Sequence, residues 1–265
     1  MSSCRIGYEK NKNNLKGSVF VEDRKLVFKS LVGSQNYNLA TPRSDKDYKA
    51  FVYPTLDDLY EGKVVKKAVI TDNEDTEYHD IRKLPVLLSK SNVNFVEVLF
   101  TEEVTSRDEL HKEFYNLRND IAKMNLSYLF DASMGMFNNE VKLYKKKMEV
   151  GQELQAYKYA ASAIRITDFL VRFFNTDFND FKQAIWYKDG SVRRDFILTV
   201  KRGESTIKDV NHALRVQVRE AVLLKEDYKS RKKDTELEKY LNELVKSYTL
   251  ENLFTGGNGY ESPGY

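Results

Sequence analysis

The chain has 265 residues, with 43 Lys and Arg against 40 Asp and Glu, a net charge of +3 on 31% charged residues. That length permits one large or two ordinary domains with an ample core, and so even a balance argues for nucleic-acid binding only if cations gather locally. A single cysteine, Cys4, excludes an internal disulfide and suits a reducing compartment; with neither an apolar leader nor eighteen apolar residues in a row, the expectation is a soluble, cytoplasmic protein with no membrane partner.

Residues 1–23 are polar and carry no functional signal. The apolar run from Arg24 to Val32 predicts a strand that ends at Gly33-Ser34. Glycine there lets backbone amides approach an anion, and the Ser34 hydroxyl adds a donor. After a ten-residue spacer, Asp45 to Val52 predicts a second strand. Alternation places Asp45 and Asp47 on one face, roughly 6 to 7 Å apart, and Lys46 on the other. Two such carboxylates repel unless a cation sits between them, and hard oxygen ligands select magnesium or manganese. A triphosphate gripped by Gly33 and Ser34 would lie beside two such ions, which bridge its oxygens and an attacking hydroxyl. Nucleotidyl transfer is the chemistry these residues prescribe.

Thr55 to Gly62 reads as a short capped helix, Lys63 to Thr71 as a strand, and Asp72-Asn73-Glu74-Asp75 as an acidic loop. On a strand, Asp75, Glu77 and His79 share one face and Asp80 lies opposite. Asp80 also reads as the cap of a helix from Ile81 to Ser89, which Pro85 either kinks or begins. His79 is more simply a hydrogen-bonding residue than a ligand, and Glu97 more simply the ion-pair partner of Arg82 or Lys83. From Glu102 the pattern is helical: Arg107 to Asn125 carries an apolar stripe, and Asp131 to Phe137 marks either a break or a helix-packing spot. Val141 to Lys147 is lysine-rich. The next helix, Glu153 to Phe174, sets Lys158 and Arg165 seven residues apart on one face. Further helices span Arg193 to Gly203, Ile207 to Lys225 and Glu236 to Phe254. The cluster Arg231-Lys232-Lys233, with Arg215 and Arg219, could track an RNA backbone, though such clusters are more often solvated. Residues 255–265 are a Gly-rich flexible tail.

The run Gly33-Ser34-x-x-Tyr37-x-Leu39-x-Thr41-Pro42-x-Ser44-Asp45-x-Asp47-Tyr48 resembles the DNA polymerase beta-like nucleotidyltransferase superfamily, and within it the RNA-repair-associated (RNA-ligase-associated) branch. Asp80-Ile81-Arg82-Lys83-Leu84, the segment from Asn92 through Glu97 to Leu99, Tyr157-Lys158 to Arg165, and Lys201-Arg202-Gly203 resemble its later segments, so the likeness covers roughly residues 25–225. There are departures: Asn38 stands where a glycine is usual, Lys49 where an arginine is, and a histidine of the C-terminal helix is replaced near Ala161-Ser162.

The resemblance implies an α+β fold, a small mixed-sheet nucleotidyltransferase domain over residues 1–104 packed against a helical domain over 105–254. It implies a nucleoside triphosphate as substrate and two Mg2+ or Mn2+ ions, held by Asp45, Asp47 and a third carboxylate on a neighbouring strand. Of Asp75, Glu77 and Asp80, Glu77 best matches the pattern of an acid between strand formers, with Asp80 second. It also places the Lys158 and Arg165 helix at the nucleotide cleft, making both candidates for the triphosphate, and it suggests an RNA 3′ end as acceptor. A protein side chain or small molecule as acceptor, and a catalytically silent binding or antitoxin-like module, stay open, although intact Gly33-Ser34 and Asp45-x-Asp47 weigh against the last.

Overall fold

The computed structural model describes residues 24–42, 44–71, 74–105 and 107–255. The expectations for residues 1–23, Asp72, Asn73 and 256–265 lie outside that range. The fold is α+β, a five-stranded mixed sheet followed by helices.

Strand β1 (Leu26–Val32) pairs antiparallel with β2 (Lys46–Val52), Val32 opposite Asp47. Strands β3 (Lys66–Ile70) and β4 (Glu74–Asp80) pair antiparallel, and β4 runs parallel to β2. A two-residue β5 (Val104–Thr105) completes the order β3-β4-β2-β1-β5. Glu74 and Asp75, expected in a loop, are the first residues of β4. Strand alternation grades one face of the sheet along its length. At one end Phe28 stacks on Phe51 at 4.8 Å, and Phe51 on His79 at 5.5 Å; at the other the same face carries Asp47, Asp75 and Glu77. The first end packs into the core and the second opens to solvent.

The chain turns at α1 (Gly33–Asn36), and α2 (Leu56–Tyr60) starts in a capping box between Thr55 and Asp58. The helix expected from Ile81 is a 3-10 turn (Ile81–Lys83) followed by α3 (Leu84–Ser89), with Pro85 in its first turn, where a missing N–H costs little. Next come α4 (Val93–Val96) and a 3-10 turn (Glu97–Leu99). The stripe from Arg107 to Asn125 divides at Leu117 into α5 (Glu109–Asn116) and α6 (Arg118–Lys123). Of the two readings of Asp131 to Phe137 the break does not form: α7 (Leu126–Glu149) runs through it, with Ser133 and Phe137 buried. Gly135 costs a helix about 1 kcal/mol, which burial of Leu129, Phe130 and Phe137 outweighs.

Helix α8 (Glu153–Asn175) is the axis of the helical part, packing against α7, α9 (Phe181–Ile185), α10 (Val192–Arg202) and α11 (Ile207–Leu223). Its buried Ala156, Ala160 and Ala163 let neighbours approach closely. After α12 (Lys225–Lys229), α13 (Thr235–Thr255) returns to the sheet region and packs on α3 and the Ile81 turn, where the Ser89 hydroxyl donates to Glu238 at 2.5 Å. One hydrophobic cluster runs from Val27 to Val245. Among the described residues no helix is long and apolar enough to cross a membrane.

Candidate active site

Strand β1 ends where β2 and β4 begin, so Val32 meets Asp47, and Asp47 meets Asp75. The chain leaves β1 through Gly33 at φ +68°, and a Cβ on that residue would stand 3.1 Å from Asp47 Oδ2. Glycine is therefore required twice, for the left-handed backbone and for the close approach of the carboxylate. A cleft of about 420 Å³ opens at this corner. Gly33, Ser34, Asp47, Asp75 and Glu77 line its sheet side, and Lys158, Ser162 and Arg165 of α8 with Lys201 of α10 line its helical side. Carboxylates crowd the sheet wall, where Lys49 is paired with Glu77, and cations line the helical wall.

Burial raises the pKa of the Asp47 carboxyl, and the charges of Asp75 and Asp45 raise it further. Asp45, exposed just before β2, does not line the cleft but acts on Asp47 through its charge. Among the described residues, none of Asp45, Asp47 and Asp75 accepts a side-chain hydrogen bond or forms an ion pair. Glu77 differs: it takes the Lys49 ammonium at 2.9 Å and lies 3.5 Å from His79 Nε2. Burial pushes its pKa up, but these two partners hold it below the usual carboxylate range.

Asp80 is absent from the cleft. Its strand position turns it to the other face, where it is fully buried and accepts from the Arg82 backbone N–H at 3.0 Å and from the guanidinium at 2.9 and 2.6 Å. It caps the Ile81 turn, and as a metal ligand it is corrected. Glu97 is corrected as well, since Arg82 is taken by Asp80. Glu97 is instead buried beneath the Gly33 turn, accepting from Gly33 N–H at 3.0 Å, Asn36 Nδ2 at 3.2 Å and the Tyr37 hydroxyl at 2.6 Å. The Gly33 amide therefore points inward to Glu97, leaving Ser34 as the outward-facing donor of the turn.

On the opposite wall Arg165 is only 8% exposed. Its guanidinium lies 4.2 Å from the centre of the Tyr37 ring, and its Nη1 has no partner. Lys201 Nζ donates to the Leu39 carbonyl at 2.8 Å and the Ser44 hydroxyl at 3.2 Å. Burial, then the charge of Lys158, depress its pKa. Lys201 had a place in the sequence likeness but no assigned role, because only the fold-back of α10 onto the Leu39 loop brings it here. Asp75, ranked behind Glu77, gains its place from the register of the parallel pair, which strand alternation alone does not fix. The Arg231 to Lys233 cluster is elsewhere: Arg231 pairs with Asp177 at 3.6 Å and Lys233 with Glu238 at 2.5 Å.

Among the described residues no three acidic, histidine or cysteine side chains converge into a ready-made cation cage. The donor chemistry still suits a hard cation, because Asp47, half-buried, sits between two further acids with no hydrogen bond of its own.

Among curated proteins none matches this chain. Among solved structures it is similar to a nucleotidyltransferase-like protein from Exiguobacterium sibiricum 255-15, at 12% identity over 93% of this chain and 92% of that one, with a TM-score of 0.30, too loose a likeness to bear on the site. The family model described as RNA repair pathway DNA polymerase beta family matches residues 9–249. With its Gly33-Ser34 turn set against Asp47 in one cleft, the chain belongs to that polymerase beta-like nucleotidyltransferase family.

Proposed function

We propose that this protein transfers a nucleoside monophosphate from a nucleoside triphosphate to the 3′ hydroxyl of an RNA, releasing pyrophosphate. The observation that carries the reading is the cleft itself, with unengaged Asp47 and Asp75 on one wall and Lys158, Arg165 and Lys201 on the other. Residues 1–104 supply the acids and residues 105–254 the cations, which is the division of labour we assign to the two parts of the chain. An RNA acceptor would place this work in the cytoplasm.

In this scheme the Ser34 hydroxyl with Lys158 and Arg165 holds the β- and γ-phosphates, and Lys201 neutralises charge at the mouth of the Leu39 loop. Asp45, from its exposed position beside the cleft, and Asp47 would hold two Mg2+ or Mn2+ ions, with Asp75, rather than the Lys49-bound Glu77, as the favoured third carboxylate. When bound, such ions polarise the α-phosphate and lower the pKa of the attacking hydroxyl. The acceptor oxygen bonds to the α-phosphorus as the bond to the β-phosphate breaks. The cation wall then stabilises the departing pyrophosphate.

The test is incubation with Mg2+ or Mn2+, each α-labelled nucleoside triphosphate and total RNA, beside Asp47→Ala. Label on RNA with the wild-type protein alone is the expected result. Label on protein would move the acceptor from RNA to a side chain, and no label on anything, with no nucleotide binding, would overturn the reading.

A further inference from the structure

Glu97 lies almost fully buried in the lining of the cleft, where it touches or adjoins both elements proposed to grip phosphate. Its carboxylate accepts from the Gly33 backbone N–H, fixing the turn that presents Ser34. It also accepts from Asn36 Nδ2 and from the Tyr37 hydroxyl. The ring of that same Tyr37 is the platform on which the Arg165 guanidinium rests at 4.2 Å. Sheet turn and helical wall thus meet at one buried side chain, 2% exposed.

The arrangement of Arg165 shows what the platform does. A guanidinium has five donors, and one that is nine-tenths buried ordinarily finds a carboxylate. Here the negative charge of Glu97 acts on Arg165 from behind Tyr37, and no ion pair forms between them. Nη1, itself buried, has no partner, and the side chain as a whole lines the cleft. Had Glu97 reached Arg165 directly, the fork would be spent on it. With the phenol ring between, the charges of Glu97 and Glu140 act on Arg165 without an ion pair, and the cleft-lining guanidinium keeps donors for a ligand.

We propose that Glu97 is a positioning residue which, through Tyr37, holds Arg165 and the Gly33-Ser34 turn in the geometry that takes a triphosphate rather than a monophosphate. The inference rests on the nucleotidyl-transfer reading for the identity of the ligand. Selectivity follows because Ser34 and Arg165 both line the cleft, and a triphosphate offers oxygens enough to engage both where a monophosphate offers fewer.

The experiment is binding, which reads out even if no transfer is seen. Dissociation constants for a non-hydrolysable ATP analogue and for AMP are measured on the wild type, Glu97→Gln, Tyr37→Phe, Arg165→Met and the Glu97→Gln/Arg165→Met double variant, each checked for a native-like melting temperature. Glu97→Gln and Tyr37→Phe should weaken the triphosphate about tenfold, the scale of one charge-assisted hydrogen bond, and leave AMP within about twofold. The double variant should lose less than the sum of the two single losses, because part of the Glu97 effect passes through Arg165 and part through the Ser34 turn. Equal weakening of AMP and triphosphate, or additive losses, would show a merely structural Glu97 and overturn the proposal. If Glu97→Gln fails to fold, Tyr37→Phe, which keeps the ring and removes only the hydroxyl, carries the test. Tight triphosphate binding without transfer would count against the transfer reading and leave this result standing.

Discussion

Asp47 and Asp75 face each other in register across the parallel pairing of β2 with β4, like charges at a position where sheets favour complementary ones. Their repulsion raises the Asp47 pKa and opposes folding when no cation is present. Asp75→Asn should therefore raise stability by roughly 0.5 to 1 kcal/mol in a chelator while lowering the transfer rate by about a hundredfold or more. Glu77→Gln frees Lys49 and should cost the reaction far less. Urea unfolding in EDTA and single-turnover transfer check both; a larger loss from Glu77→Gln would make Glu77 the third ligand.

Asp80 is expected to behave in the opposite way. Asp80→Ala strands Arg82 and the Val65 N–H, both of which it bonds, so stability should fall by about 3 kcal/mol. Protein that remains folded should keep its transfer rate. Denaturant midpoints beside active-site-normalised rates distinguish this from a role at the cleft.

Gly33→Ala combines a left-handed backbone with a Cβ 3.1 Å from Asp47 Oδ2. The backbone alone costs about 1 kcal/mol. Because the obstructing atom is a carboxylate oxygen, the structure yields by moving Asp47, and activity should fall more steeply than the melting temperature.

His111 makes stability depend on pH. Its ring lies tilted against Phe28 at 4.7 Å, both of its nitrogens lack partners, and burial with the nearby Arg107 depresses its pKa to about 4. An unfolded histidine titrates near 6.5, so between pH 6.5 and 4 the unfolded chain binds a proton that the folded chain refuses. Stability is full above pH 6.5 and should decline by about 3 kcal/mol as pH falls to 4. His111→Leu should flatten that slope in urea titrations at pH 7 and 4.5.

The sequence made local geometry legible. Strands β1 and β2, the Thr55 cap, the Gly203 stop of α10 and the face shared by Lys158 and Arg165 all depend on a few neighbouring residues, and all stand close to where the pattern put them. What it hid depends on distant partners. Asp80 offered the same signal as a cap and as a ligand, and only its burial beside Arg82 decides between them. Glu97 changed partners because a surface ion pair and a buried acceptor of three donors look alike until the Gly33 turn folds over it. Lys201 sits 156 positions after Asp45, and no period in the chain links them.

Helix α13 closes over α3 with Leu241 and Val245 in the same cluster as Leu84 and Leu88. During synthesis the sheet emerges first, yet the packing over Leu84 and Leu88 stays incomplete until α13 has left the ribosome. The cation wall on α8 and α10 arrives late as well. Unlike domains that fold one by one as they are made, the sheet region is completed only when α13 arrives, so a chain stopped before α13 leaves Leu84 and Leu88 short of their cover and open to chaperones and proteases.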